Sequence, residues 1–208
     1  MSAAAVEHPF ADEPSGDLLR TAKRITELFP GYRVEIIGGV ISVAPPPDFR
    51  HARILTKLMR PFYEADLSGS DTEIAQGVGV WLPGGPEDYA VPDFVLVDAD
   101  IEDHYISENC YDPACFRLVL EVTSSNFNND LRTKVRAYAE AAIPVYVVVD
   151  RKNNRLHVLT DPVDGEYANH TLYAPGQQVT LPDSIGAKVT LDAGELLKAG
   201  GCPTDVAG

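Results

Sequence analysis

The chain has no run of the roughly twenty consecutive apolar residues that a helix needs to cross a bilayer, and its N-terminus lacks the basic, apolar and small-residue succession of an export signal. A soluble, cytoplasmic protein with no membrane partner is therefore expected. Cysteine is scarce. Cys110, Cys115 and Cys202 are odd in number and form no Cys-x-x-Cys pair, so neither a disulfide framework nor a thiolate zinc site is indicated. The GxxxxGK[ST] loop of a nucleotide-triphosphate engine and the GxSxG elbow of a serine hydrolase are also missing. Positive charge is in deficit, with 17 Lys and Arg against 31 Asp and Glu and a formal net charge of −14. That balance opposes general attraction to nucleic acid, so any such contact needs a locally basic groove or a divalent cation.

What is present fits one domain, because 208 residues suffice to bury a sizeable core. No internal repeat and no linker divides the chain. The expected organisation is a flexible N-terminus over residues 1–14, a single domain over 15–198 and a disordered tail over 199–208. A helix starts near Ser15 or Asp17, with an apolar stripe of Leu18, Leu19, Ala22, Ile25, Leu28 and Phe29, and Pro30-Gly31 ends it. Gly38-Gly39 between two short apolar runs is the strongest hairpin signal, since both central positions tolerate positive φ. Pro45 to Pro47 stop the second of those strands. A second helix is expected over residues 49–64, with Pro61 bending or shortening its last turn.

Residues 72–82 then read as one strand loosened by Gly77 and Gly79, and 91–97 as the next. The acidic stretch 98–112 reads as a loop. Residues 116–122 form a nearly continuous apolar run, as expected of a central strand. A helix over 129–142, a buried strand over 145–149, further short strands and one helical turn over 192–198 complete an α/β pattern.

Three charges stand out against it. Asp93 lies inside the apolar run 91–97 and Glu121 near the end of 116–122. Desolvating a carboxylate is expensive, so each needs a cation, a hydrogen-bond network or an exposed strand end. The third is Lys134, one helical turn after Asp130. The two can form a surface i,i+4 pair worth about 0.3 to 0.5 kcal/mol. They can also belong to a site, because their helix directly follows the Glu121 strand and brings these groups toward one end of the sheet.

Pro92-Asp93, Glu121-Val122-Thr123-Ser124, Asp130, Lys134, Tyr138 and the run from Ile143-Pro144 to Asp150 resemble the core of the Uma2 family. Glu35 with Gly39, and His51, are similar to that family's N-terminal half. The likeness runs from about residue 20 to about residue 195. It implies a PD-(D/E)XK restriction-endonuclease-like fold, a mixed central sheet flanked by helices with an N-terminal helix and hairpin.

Carried over to this chain, the resemblance makes Asp93 and Glu121 the metal-binding carboxylates, with the carbonyl of Val122 a further oxygen. The superfamily lysine usually stands two residues after the glutamate, where this chain has Thr123. Lys134 is then the migrated lysine, and Glu35 and Asp130 join the catalytic group. The implied cofactor is Mg2+ or Mn2+, and the implied activity is endonuclease or phosphodiesterase action on DNA. Without metal, carboxylates gathered in this way should repel one another. Against this stand two other readings: a weak or inactive nuclease-like module that binds DNA or a protein, and a structural or regulatory homodimer. A homodimer is expected in any case from the prevalence of twofold oligomers, and a light-scattering mass of one 22.6 kDa chain contradicts it.

Overall fold

A computed structural model of the chain describes residues 8–9, 16–69, 71–123 and 129–200. Strand β1 (His8–Pro9) is followed by helix α1 (Asp17–Leu28), the hairpin β2 (Arg33–Ile37) and β3 (Val40–Ala44), and helix α2 (Phe49–Glu64). Six short strands come next: β4 (Thr72–Ala75), β5 (Gly79–Trp81), β6 (Tyr89–Ala90), β7 (Phe94–Asp98), β8 (Tyr105–Ser107) and β9 (Cys110–Tyr111). Strand β10 (Phe116–Val122), helix α3 (Lys134–Glu140) and strand β11 (Val145–Asp150) form the centre. The chain closes with β12 (Arg155–Val163), β13 (Glu166–Tyr173), β14 (Gln178–Thr180), β15 (Thr190–Asp192) and α4 (Ala193–Gly200). A six-stranded sheet runs β13-β12-β11-β10-β7-β4, a seven-stranded sheet runs β1-β3-β2-β6-β5-β9-β8, and β14 pairs with β15.

β10 lies in the middle of the six-stranded sheet, parallel to β11 and antiparallel to β7. It is buried on both faces, which is why its sequence is almost unbroken apolar. Leu118, Leu120 and Val122 pack with Ile54, Leu58 and Phe62 of α2 and with Leu196 of α4. Val119 packs on the opposite side with Tyr146, Val148 and the α3 residues Ala137 and Tyr138. Strand alternation therefore turns Glu121 toward α3.

The hairpin forms as expected, with Gly38 at φ 62° and Gly39 at φ 73°, the pair of positive angles a two-residue turn of this hand requires. Asp88 anchors it by accepting from Gly38 N at 2.6 Å and Gly39 N at 3.1 Å. Helix α2 has the expected limits and runs through Pro61 to Glu64.

Several boundaries differ from the sequence expectation. Residues 72–82 are two strands in different sheets, β4 and β5, with Gly77 at φ 71° between them. The strand expected over 91–97 begins at Phe94, because Val91-Pro92-Asp93 carries the chain from one sheet to the other. The acidic stretch 98–112 holds β8 and β9, joined through Glu108 and Asn109 at φ 51° and 58°. The helix expected over 129–142 is a π-helical turn, Asn129–Thr133, followed by α3. At the C-terminus, helix α4 takes in Ala199 and Gly200, which were expected in the tail. Ala199 is buried, and its carbonyl accepts from Arg53 Nε at 2.9 Å and from Arg53 Nη2. Residues 201–208, with Cys202, lie outside the described residues, as does most of 1–14, although His8 and Pro9 pair with β3.

Among the described residues no helix is long and apolar enough to cross a membrane. Cys110 and Cys115 are free and buried. Burial, aided by nearby carboxylates, pushes both thiols up to about 12, so they remain protonated at neutral pH.

Candidate active site

The crossing from β6 to β7 creates the site. β7 runs antiparallel to β10 with Phe94 opposite Leu120, so Asp93, one residue earlier, falls beside the end of β10. There its Oδ2 accepts from Val122 N at 2.7 Å. The same crossing segment is clamped to the hairpin. Val91 N donates to Glu35 Oε1 at 2.8 Å, and Arg33 Nη1 donates to the Val91 carbonyl at 3.1 Å. Arg33 and Glu35 are two residues apart on β2 and so share a face, which turns both toward Asp93 and Glu121.

Helix α3 supplies the cation on the other side. Lys134, its first residue, donates from Nζ to Glu35 Oε1 at 2.8 Å and to Glu121 Oε1 at 2.7 Å. Tyr138, one turn later, donates its hydroxyl to Glu121 Oε1 at 3.0 Å, while its ring packs edge-on against Tyr146 at 4.9 Å. Arg33 Nη1 lies 2.5 Å from Asp93 Oδ1 and 3.6 Å from Glu121 Oε2, so a single nitrogen faces both carboxylates. Glu35, Glu121 and Lys134 are 2%, 0% and 1% exposed. The expected mutual repulsion of bare carboxylates is not what the cluster presents, because Lys134 and Arg33 stand between them.

His51 reaches Asp93 from the first turn of α2. Asp48 caps that helix by accepting from His51 N at 2.8 Å, and its other oxygen pairs with Arg151 at 2.9 Å. His51 Nε2 is 3.2 Å from Asp93 Oδ2, close enough for an ion pair but off the line of a well-formed hydrogen bond. Its Nδ1 is buried with no hydrogen-bond partner among the described residues.

Desolvation by itself would raise the Asp93 carboxyl. The Arg33 guanidinium outweighs it, with help from His51 and the Val122 N–H, and holds the group well below the usual carboxylate range. Glu35 behaves alike: burial raises it, and the charges of Lys134 and Arg33 with the bonds from Lys134 and Val91 leave it lowered. Burial, with Glu121 beside it, pushes the Tyr138 hydroxyl far up, so it acts as a donor.

A carboxylate with a lowered folded-state pKa contributes stability that is complete above its unfolded value and is lost as pH falls through the folded one. The unfolded reference is 3.8 for Asp93 and 4.5 for Glu35. Urea midpoints should therefore fall as pH drops below about 4.5. The fall should be shallower in Asp93→Asn than in wild type, and parallel acid limbs would show that Asp93 carries no such linkage.

The Uma2 family model, described as "Putative restriction endonuclease", matches residues 21–194. The chain belongs to the Uma2 family. A similar solved structure is the crystal structure of "a putative nuclease belonging to DUF820" from Anabaena variabilis ATCC 29413. It is 14% identical, with a TM-score of 0.63 over 80% of this chain and 90% of that one. At that identity the likeness speaks for the fold, and it bears out the restriction-endonuclease-like α/β architecture expected from the sequence. No curated protein matches the chain.

The residues singled out by the Uma2 resemblance come from distant segments, and Glu35, His51, Asp93, Glu121 and Lys134 meet in one buried cluster. The backbone of Asp130 lies in the π-helical turn, and its side chain falls outside the described residues. Lys134 is not the exposed member of a surface pair. The Val122 carbonyl leaves β10 on the same side as the N–H that meets Asp93. Thr123, at the superfamily's usual lysine position, is turned away. Its hydroxyl donates to Val149 O at 3.3 Å and accepts from Arg151 N at 2.9 Å, closing the β10–β11 edge.

Sequence reasoning missed Arg33, although its i,i+2 relation to Glu35 on a strand marks it as a face neighbour. Tyr138, quoted in the resemblance without a role, has its ring in the core and its hydroxyl on Glu121.

The donor chemistry suits a hard cation. Two carboxylates and a carbonyl are the oxygen ligands magnesium and manganese accept, with water completing the shell. No group of three or more His, Cys, Asp and Glu side chains forms a ready metal shell among the described residues. The position between Asp93 Oδ1 and Glu121 Oε2 nevertheless already carries a cation, Arg33 Nη1. Both carboxylates thus already flank one positive charge, and Glu121 Oε2, at 3.6 Å from that nitrogen, would have to come closer to reach the roughly 2.0 to 2.1 Å of a magnesium ligand.

Proposed function

We propose that this Uma2 protein is a magnesium- or manganese-dependent endonuclease that hydrolyses phosphodiester bonds in DNA. The observation that supports the reading best is the convergence of Asp93 and Glu121 on one cation position, with Lys134 held 2.7 Å from Glu121. Asp93, Glu121 and the Val122 carbonyl would hold the ion. When bound, it polarises the phosphodiester and lowers the pKa of a coordinated water.

The chain's own groups divide the remaining work. Lys134 is the point positive charge for the phosphate oxygen on which negative charge develops. Glu35 positions that ammonium from the far side through Oε1, which accepts from both Lys134 and Val91 N. Tyr138 and Lys134 hold Glu121 through Oε1, which leaves Oε2 facing the cation position. His51 and Val122 N hold Asp93 through Oδ2.

DNA is a reasonable partner in spite of the acidic whole. α2 carries Arg50, Arg53, Lys57 and Arg60 against Glu64 alone among acids, and its buried face carries His51 into the site. Lys57 pairs with Glu195 and Arg60 with Glu64. Exposed pairs of this kind are worth only about 0 to 1 kcal/mol, so phosphates can displace them. A basic strip leading from the site gives a polyanion a place to bind on a protein whose average surface repels it.

Purified protein should nick supercoiled plasmid only when Mg2+ or Mn2+ is added. The ion should also raise Tm, because a ligand that prefers the folded state stabilises it by mass action. The rise should be larger in wild type than in Asp93→Ala. Equal rises would mean that the ion acts generally on the −14 surface rather than at Asp93.

A further inference from the structure

We propose that Arg33 is an internal competitor of the divalent cation, its guanidinium occupying the position between Asp93 and Glu121 and leaving it when metal enters. The inference rests on the metal-dependent reading above and adds an autoinhibitory contact to it. Arg33 Nη1 touches Asp93 Oδ1 at 2.5 Å and faces Glu121 Oε2 at 3.6 Å. Those are the two carboxylates that would share the ion, and one atom cannot occupy that point together with another cation.

The charges agree with an exchange. Asp93 and Glu121 both face the Arg33 guanidinium, and putting a divalent ion in its place sets one more positive charge beside two buried carboxylates.

Of the two cations Lys134 and Arg33, Arg33 is the one with access to solvent among the described residues. Its side chain is 24% exposed, against 1% for Lys134, which is gripped by Glu35 and Glu121 together. A long arginine stem can stay packed while its head moves to water. Its bond to the Val91 carbonyl at 3.1 Å is to a neutral acceptor, which a solvent-facing guanidinium can exchange for water. In the absence of metal the guanidinium keeps the two carboxylates neutralised. With metal present it moves to the edge of the site.

The test uses Mn2+ alone as ligand, the intact chain, and two readouts. In isothermal titration, Arg33→Gln should bind Mn2+ at least about tenfold more tightly than wild type, the gain expected when an internal occupant leaves the site open in only about a tenth of the molecules. Arg117→Gln, which removes a positive charge paired with Asp98 elsewhere on the sheet, should bind like wild type and so controls for net charge. In wild type itself, labelling by an arginine-selective dicarbonyl, mapped by peptide mass spectrometry, should rise at Arg33 when Mn2+ is saturating and stay constant at the exposed Arg60. This second readout needs no variant to fold.

Equal Mn2+ affinity in wild type and Arg33→Gln, or unchanged Arg33 labelling under saturating Mn2+, overturns the competitor role and leaves the metal site standing. Failure of wild type and Arg33→Gln alike to bind Mn2+ overturns the metal site and the competitor together.

Discussion

Lys134→Met is expected to lower magnesium-dependent plasmid nicking by roughly 10² to 10³, the scale for losing a donor that meets developing charge. It is also expected to destabilise the fold by about 3 to 5 kcal/mol, the cost of breaking a buried ion pair from one side. The second effect comes from the structure. An exposed lysine paired with Asp130 would lose a fraction of a kcal/mol, whereas Lys134 is 1% exposed and bonded to both Glu35 and Glu121. Methionine fills much of the same space but leaves two buried carboxylates facing each other, and one of them must take up a proton.

The two effects can be separated. In Lys134→Met combined with Glu35→Gln, one of the stranded charges is gone, so much of the lost stability should return while nicking stays low. Urea denaturation of both variants, with nicking assayed below their midpoints, measures each part. If the single variant keeps wild-type stability and full nicking, Lys134 has neither role. Restoring the amine by Thr123→Lys is not expected to succeed, because Thr123 holds Val149 O and Arg151 N and is directed away from Glu121.

Asp93→Asn and Glu121→Gln should each reduce plasmid nicking to the background of the protein-free reaction in magnesium. Both substitutions keep shape and remove charge, so they test the carboxylates as carboxylates. In Asp93→Asn the amide oxygen can still accept from Val122 N, but the charge that draws Arg33 and would draw a metal is lost. In Glu121→Gln, one oxygen position becomes a donor facing Lys134, Tyr138 or Arg33, all of which are donors themselves. A like-polarity contact of that kind in a buried site weakens the cluster as well as the chemistry. Equal nicking by wild type and both variants would identify a contaminating nuclease and remove Asp93 and Glu121 from the mechanism.

The residues of the site differ in how far the sequence discloses them. Asp93 and Glu121 were legible because carboxylates inside apolar runs conflict with the cost of desolvation, and a conflict of that kind asks for a partner. The Gly38-Gly39 hairpin and helix α2 were legible because local backbone preference and apolar period act over a few residues. The break of 72–82 into β4 and β5 was not, since Gly77 permits a change of direction without saying which sheet the chain will join. Nor was the start of β7, which depends on Val91 being clamped between Arg33 and Glu35.

By itself, the sequence determined the α/β class, the central strand β10 and the short list of charges that required an explanation. These follow from periodicity and solvation, which operate residue by residue. Only the tertiary structure decided that Lys134 is buried, that Arg33 stands between Asp93 and Glu121, and that Glu35 holds Lys134 instead of serving as a free acid. Those choices depend on which faces of β2, β10 and α3 oppose one another. Coulombic contact over about 3 Å is decided by that packing rather than by neighbourhood in the chain.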